Sequence, residues 1–456
     1  MLLLTPLCLL ARPSVAFSAV GRLTGQAGLT SEAFFNPDTA KNQPAGYQVL
    51  GFGLESAHSG KLIETKAQLR GGVGLSDPTV YNYFLVPEAY VTTTPVVDAK
   101  TRYTLGRRIL PWSDLDESWR LGVWQPRFRW NYLEPETQGL TGLFAAHKTE
   151  MFEIVAFATP LYLPDQGPSF KLKDGAFSSP SQYFTAPASK AALFSQGTRV
   201  HYDIDRPAIA KIVMQPATAM MVRYGHEKGT WTRLAYAYKP MNQLLIGVDG
   251  YLDLNSYDAM VTAHPRVVYH HVTAWEGGYR GEAVGAWGGL TREWTMSDTT
   301  PASWTSQQTS PATLAGAGVG VYAFRWSSEP TRLGASVLKR TGGDENDGGP
   351  FANPSLSFFE SRYPFHDAVS FDVKTPFPGE LGRSLGVSTK VLYELNSRSS
   401  ALVLRMKYQT ARAWTLSLGG EILSAPPEAP TQGFGSDLIS RYKANDRVYG
   451  GVSYVF

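Results

Sequence analysis

Asp446-Arg447-Val448-Tyr449-Gly450-Gly451-Val452-Ser453-Tyr454-Val455-Phe456 alternates at period two. Val448, Gly450, Val452, Tyr454 and Phe456 share one parity, and Arg447, Tyr449, Gly451 and Ser453 share the other, so a strand here carries one apolar and one mixed face. The sequence stops on an aromatic, with no charged tail after it. In a membrane-crossing barrel the last strand pairs with the first to remove both open edges, and aromatic side chains belong where strands leave the hydrocarbon.

Composition points the same way. Of 456 residues 18% are charged and 12% aromatic, with 44 Gly, a balance that suits many strands joined by turns better than helices with charged outer faces. The net charge of +3 is too small to argue for nucleic acid. Cys8 is the single cysteine, within an apolar run from Leu2 to Leu10 that is shorter than the roughly 20 residues of a membrane helix. That run, with Ala16-Phe17-Ser18 as a cleavage site, predicts a signal peptide over 1–18 and a barrel over 19–456. The basic residue expected before the run is missing; Arg12 follows it. Leu7 before Cys8 argues against lipidation.

Alternation recurs along the chain. Leu23, Gly25, Ala27 and Leu29 oppose Arg22, Thr24 and Gln26; Leu244, Ile246, Val248, Leu252 and Leu254 oppose Gln243, Asp249, Tyr251 and Asp253; Leu402, Leu404 and Met406 oppose Arg405 and Lys407; Trp414, Leu416, Leu418 and Ile422 oppose Thr415, Ser417 and Glu421. A soluble sandwich would alternate too, so the connections decide. Counting back from Phe456, tight connections near 58–61, 98–100, 147–150, 205–208, 239–241, 276–278, 327–331, 375–380 and 410–412 alternate with a second set. That set holds 35–46, 75–83, 111–138, 160–196, 226–229, 255–260, 295–311, 342–365, 396–398 and 425–441. Every long segment falls in the second set, the asymmetry of an outer-membrane barrel. The segmentation gives twenty strands, and boundary placement admits 18 or 16; about 18 is the expectation. A lumen of that width holds water or folded-in loops.

Tyr449, Gly451, Tyr454 and Phe456 resemble the C-terminal assembly signal of Gram-negative outer-membrane β-barrel proteins. The resemblance implies an all-β, antiparallel, up-and-down transmembrane barrel with short periplasmic turns and long extracellular loops, exported through the periplasm and inserted by barrel-assembly machinery. Outer-membrane lipid and lipopolysaccharide are then its surroundings, and a homotrimer is compatible with it. The implied activity is a porin-like channel for passive or weakly selective passage of small hydrophilic solutes. A structural or surface-interaction barrel closed by its loops is the alternative. A transporter of hydrophobic compounds would need an N-terminal plug, for which 36–46 is too short.

Residues 100–142 interleave arginines, acids and four tryptophans. Ser113 caps a helix whose first turn holds Asp114, Asp116 and Glu117. This resembles a porin constriction loop, with those acids set against Arg107, Arg108, Arg127 and Arg129 toward the wall; an ordinary outer loop remains the competing reading. Gly342-Gly343-Asp344-Glu345-Asn346-Asp347-Gly348-Gly349 offers oxygen ligands but lacks the spacing of a calcium loop, so a solvated turn is expected. No Ser stands two residues after a His, as the outer-membrane phospholipases require. His366-Asp367, and Asp203 near His201, imitate an outer-membrane protease only loosely, so no enzyme is expected. His270 and His271 point to opposite faces of a strand and share no metal. No cofactor and no metal site are expected.

Overall fold

In the computed structural model, residues 21–35, 44–60, 63–75, 82–93, 100–193, 196–296, 299–324, 330–349, 361–378, 384–410, 413–426 and 437–456 are described. Among them eighteen strands close into one antiparallel barrel. The first nine are β1 Gly21–Phe34, β2 Gly46–Ser59, β3 Ile63–Gly74, β4 Ala89–Thr93, β5 Thr101–Arg108, β6 Leu140–Lys148, β7 Phe152–Thr159, β8 Ala217–Gly225 and β9 Gly229–Pro240. The others are β10 Tyr269–Arg280, β11 Val284–Thr295, β12 Ala312–Ala323, β13 Thr331–Gly342, β14 Asp367–Pro378, β15 Ser384–Glu394, β16 Ser399–Gln409, β17 Trp414–Ser424 and β18 Arg447–Val455. Each pairs with its chain neighbour, and β18 pairs with β1 from Gln26↔Val455 to Phe34↔Arg447. No edge of the wall stays open, as a bilayer demands.

The wall is inside-out relative to a water-soluble protein. Leu23, Leu105, Trp275 and Leu418 each expose more than half of their surface, while Arg233, Glu276 and Glu421 are buried. Apolar side chains on the outer parity and charges on the inner one are what lipid outside and water or polar loops inside select. Aromatics gather where strands leave the apolar band. Trp414 meets Tyr454 at 4.9 Å at one end; Tyr238 and Trp294 flank His271 at 5.0 and 5.3 Å at the other.

The connections at one end are short turns such as 149–151, 226–228 and 281–283. The long segments 109–139, 160–216, 241–268, 296–311, 343–366 and 425–446 all leave the other end, as the sequence asymmetry predicts. The middle of the chain corrects the twenty-strand segmentation. Residues 226–229 form a turn rather than an outer loop, 239–241 close β9 at the loop end, 276–278 lie inside β10, and 205–208 and 255–260 lie within loops. Two alternating stretches account for the difference. Gln196–Ile204 and the hairpin Leu245–Asp253 with Asp258–Arg266 form strands, but they belong to a separate six-stranded sheet. Period two reports a half-buried strand and not which sheet it joins. The 342–349 segment also differs from the solvated turn expected: Gly342 and Gly343, both at positive φ, turn the chain, and Glu345–Gly348 then pairs with Thr305–Thr309 in that same sheet. The expected leader, 1–18, lies outside the described residues.

Candidate functional site: a loop across the lumen

Segment 109–139 leaves β5 and folds inward. Its helix, α1 (Asp114–Trp119), starts where the sequence predicts: the Asp116 amide donates to Ser113 Oγ at 3.0 Å. A six-residue helix has orphan N–H groups that must find partners. Glu276 of β10 supplies them, accepting from Ser113 Oγ at 2.5 Å, the Asp114 amide at 2.8 Å and the Leu115 amide at 3.1 Å. Arg233 of β9 then ties the assembly, 2.7 Å from Glu276 and 2.8 Å from Asp114, and Arg280 reaches Asp114 at 3.2 Å. Leu115 lies against Gly316 of β12, where a Cβ would come within 2.4 Å of its Cδ1. The loop is thereby pinned to the far wall.

Behind α1 the lumen is dry. Trp112 and Trp124 stack at 5.8 Å, almost parallel, and with Leu115, Leu121 and Phe144 they pack against Ala219, Ala235, Ala237 and Ala274 of the wall. Small inward residues leave room for the imported rings, so this arc is filled like a soluble core.

The other face of the loop is wet. Arg405 of β16 pairs with Glu134, which also meets Arg120 at 3.4 Å. Arg70 of β3 meets Glu136 at 2.8 Å, both about half exposed. Lys390 of β15 adds a cation within electrostatic reach of Arg120, and Arg332 faces Asp372 at 3.9 Å on the neighbouring strands. Tyr449 points inward and accepts from Arg405 Nε at 3.0 Å. Burial pulls the Arg120 guanidinium down to about 10, with Arg405 and Arg127 adding to the effect. Charged side chains of the loop therefore pair directly with charged side chains of the wall along a partly exposed face.

The expected constriction residues divide. Asp114 meets wall arginines, though these are Arg233 and Arg280. Asp116 is buried and accepts from the Val123 amide at 2.9 Å. Arg127, also buried, pairs with Asp116 at 3.4 Å and Glu117 at 3.2 Å, and Arg129 pairs with Asp165 at 2.8 Å. These four hold the loop's interior and not the wall. Burial pushes the Glu117 carboxyl up, while Arg127 pulls it the other way. Arg108 is inward, over the Tyr90 ring. Arg107 shares the outer parity of Tyr103 and Leu105, and its Nε donates to the Gly139 carbonyl at 3.1 Å. Sequence reasoning missed Glu276 because Glu276-Gly277-Gly278 reads as a turn. It missed Arg70, Arg405 and Lys390 because each is one inward charge on an ordinary strand.

The remaining sites are simpler. His270 is buried against Glu293, and His271 sits outside on the rim with Tyr236 and Trp294, opposite faces as expected. His201 pairs with Asp258 at 3.1 Å, and His366 lies 3.3 Å from Asp367. The four residues that resemble a C-terminal assembly signal split by face: Tyr449 and Gly451 inward, Tyr454 and Phe456 outward.

No family model and no curated protein matches the chain. Among solved structures it is similar to OccK9 (OpdG) of Pseudomonas aeruginosa, at 11% identity and TM-score 0.46, covering 96% of this chain and 98% of that one. OprD of Pseudomonas aeruginosa aligns at 11% identity and TM-score 0.42, covering 96% of each chain. OmpT, an outer membrane protein of Vibrio cholerae in a trimer form, aligns at 7% identity and TM-score 0.42, covering 96% and 99%. The chain itself is a closed, antiparallel, eighteen-stranded transmembrane β-barrel with one loop laid across its lumen.

Proposed function

We propose that this barrel is an outer-membrane channel through which small hydrophilic solutes pass passively, with weak selectivity set where loop 109–139 narrows the lumen. The observation that carries the reading is the split lumen: a dry arc against β6–β12, and opposite it a partly exposed charged face on which Arg120, Glu134 and Glu136 of the loop meet Arg70, Lys390 and Arg405 of the wall. Four cations against two acids give this face a mild preference for anions. On this reading the long segments are extracellular, the turns periplasmic, residues 1–18 an export signal, and Tyr449, Gly451, Tyr454 and Phe456 the recognition element for barrel assembly.

The test is conductance of the refolded, heat-modifiable barrel in a planar bilayer. Stable open steps with a reversal potential displaced toward anions support the proposal, and silence from a correctly folded barrel sinks it. One observation favours the second reading, a surface-interaction barrel closed by its loops: the six-stranded sheet built from the loops outside the wall. Silence would move attention to that sheet.

A further inference from the structure

Ionised side chains are scarce on the lipid-facing parity of the wall, and two cations there sit close together. Arg292 of β11 and Lys339 of β13 are both exposed and outward-facing. Arg292 shares its face with Leu290, and Lys339 shares its face with Val337, both exposed hydrophobics. Among the described residues neither cation forms an ion pair. They flank β12: Thr313 is the register partner of Arg292, and Ala315 that of Lys339. The two stand two strand spacings apart across the wall and two residues apart along it, about 12 Å, with Thr313 and Ala315 between them and Thr341 and Leu290 at the other corners of this face. The result is a shallow saddle of small residues with a cation on each side.

Depth makes the pair informative. Trp294, on the rim against His271, is two residues nearer the loop end than Arg292 on the same face, a rise of about 7 Å. Arg292 therefore sits on the hydrocarbon side of that aromatic rim. A guanidinium facing lipid at this level is unfavourable unless an anion meets it, and a charge-assisted, bidentate contact to a phosphate is the match its geometry provides. Lys339 supplies a second positive point toward the same saddle.

We propose that the outer face of β11–β13 is a docking site for the phosphorylated headgroup of a lipid A molecule, with Arg292 and Lys339 on its phosphates and its acyl chains along Leu290, Val319 and Val337. The proposal rests on the outer-membrane reading above. It commits to lipid A because both cations lie near the long-loop end, which that reading places in the outer leaflet.

The experiment is native mass spectrometry of the full barrel in detergent, titrated with diphosphoryl lipid A, with lipid A stripped of both phosphates, and with phosphatidylglycerol. We expect a retained diphosphoryl lipid A adduct, and a loss of about tenfold or more in its affinity in R292A/K339A. R292K/K339R, which keeps both charges, should retain most of the binding and guards against loss through misfolding. Equal binding of the stripped lipid, equal binding by R292A/K339A, or a preference for phosphatidylglycerol would each overturn the proposal. Both residues lie outside the lumen, so the double variant should conduct like the parent. A silent parent barrel would count against the channel reading while leaving the lipid titration to be judged separately.

Discussion

The ring of Phe456 covers Gly25. A Cβ at Gly25 would lie 2.3 Å from that ring, and the two residues exchange both backbone hydrogen bonds, Gly25 N to Phe456 O at 2.8 Å and Phe456 N to Gly25 O at 2.9 Å. On the inner face of the same seam Arg447 of β18 bridges Glu421 of β17 at 2.8 Å and Glu32 of β1 at 2.6 Å. Closure is thus fixed by an aromatic lid outside and an ion-pair bridge inside. G25L should destabilise the barrel by about 1–3 kcal/mol, read as a lower urea midpoint for loss of the heat-resistant band. G25L/F456A should recover part of the loss, and no recovery would mean that the contact is not what makes G25L costly.

Selectivity should follow the wet face of the loop. R405E or R70E reverses a charge on that face, and a charge pair at 4 Å in water is worth about 1 kcal/mol, so the permeability ratio should move roughly fivefold toward cations. R107E, on the outer parity, should leave the ratio unchanged. Reversal potentials across a KCl gradient check this, and an effect of R107E equal to that of R405E would contradict the assignment of faces.

Glu276 should matter more for the loop than for the wall. E276A leaves Arg233 buried without one of its two carboxylates and strips the amides of Asp114 and Leu115 of their acceptor, a cost of about 3–5 kcal/mol. The barrel should still form, because the β9–β10 backbone ladder does not depend on this side chain and Arg233 keeps Asp114 as its second carboxylate. Open-channel noise should rise as the loop comes away. E276A traces as quiet as the parent's would show that the tether is dispensable.

Replacing 245–266 by a short Gly-rich turn separates a loop hairpin from a wall hairpin. Both strands lie in the outer sheet, so heat-modifiability and unit conductance should persist. Removing two strands from the wall itself would narrow the lumen, and a collapse of conductance would return this hairpin to the barrel.

Much of the architecture is legible in the sequence because a bilayer imposes period-two faces and segregates long connections to one end. The parity of Leu23, Leu402 and Trp414, the helix start at Ser113, and the opposite faces of His270 and His271 all follow from local rules. The hairpin 245–266 reads as part of the wall because a half-buried strand alternates identically in a wall and in a loop sheet. The site was only partly legible. Asp114, Asp116 and Glu117 can be placed on a helix from sequence, but their partners come from elsewhere: Arg233 and Arg280 from distant strands, and Arg127 from the loop's own return. Nothing local marks Arg405 or Arg70 as facing Glu134 or Glu136.

The docking of α1 also orders events in time. Ser113 and Glu276 are 163 residues apart, and Glu134 waits for Arg405, so a loop synthesised in the first third of the chain gains its anchors only when much later strands have joined the sheet. Contacts this distant are slow to form. The bore must therefore be walled before it is narrowed: a barrel arrested short of α1 docking would be wide and leaky, and cells that make this protein have reason to keep such half-finished pores brief.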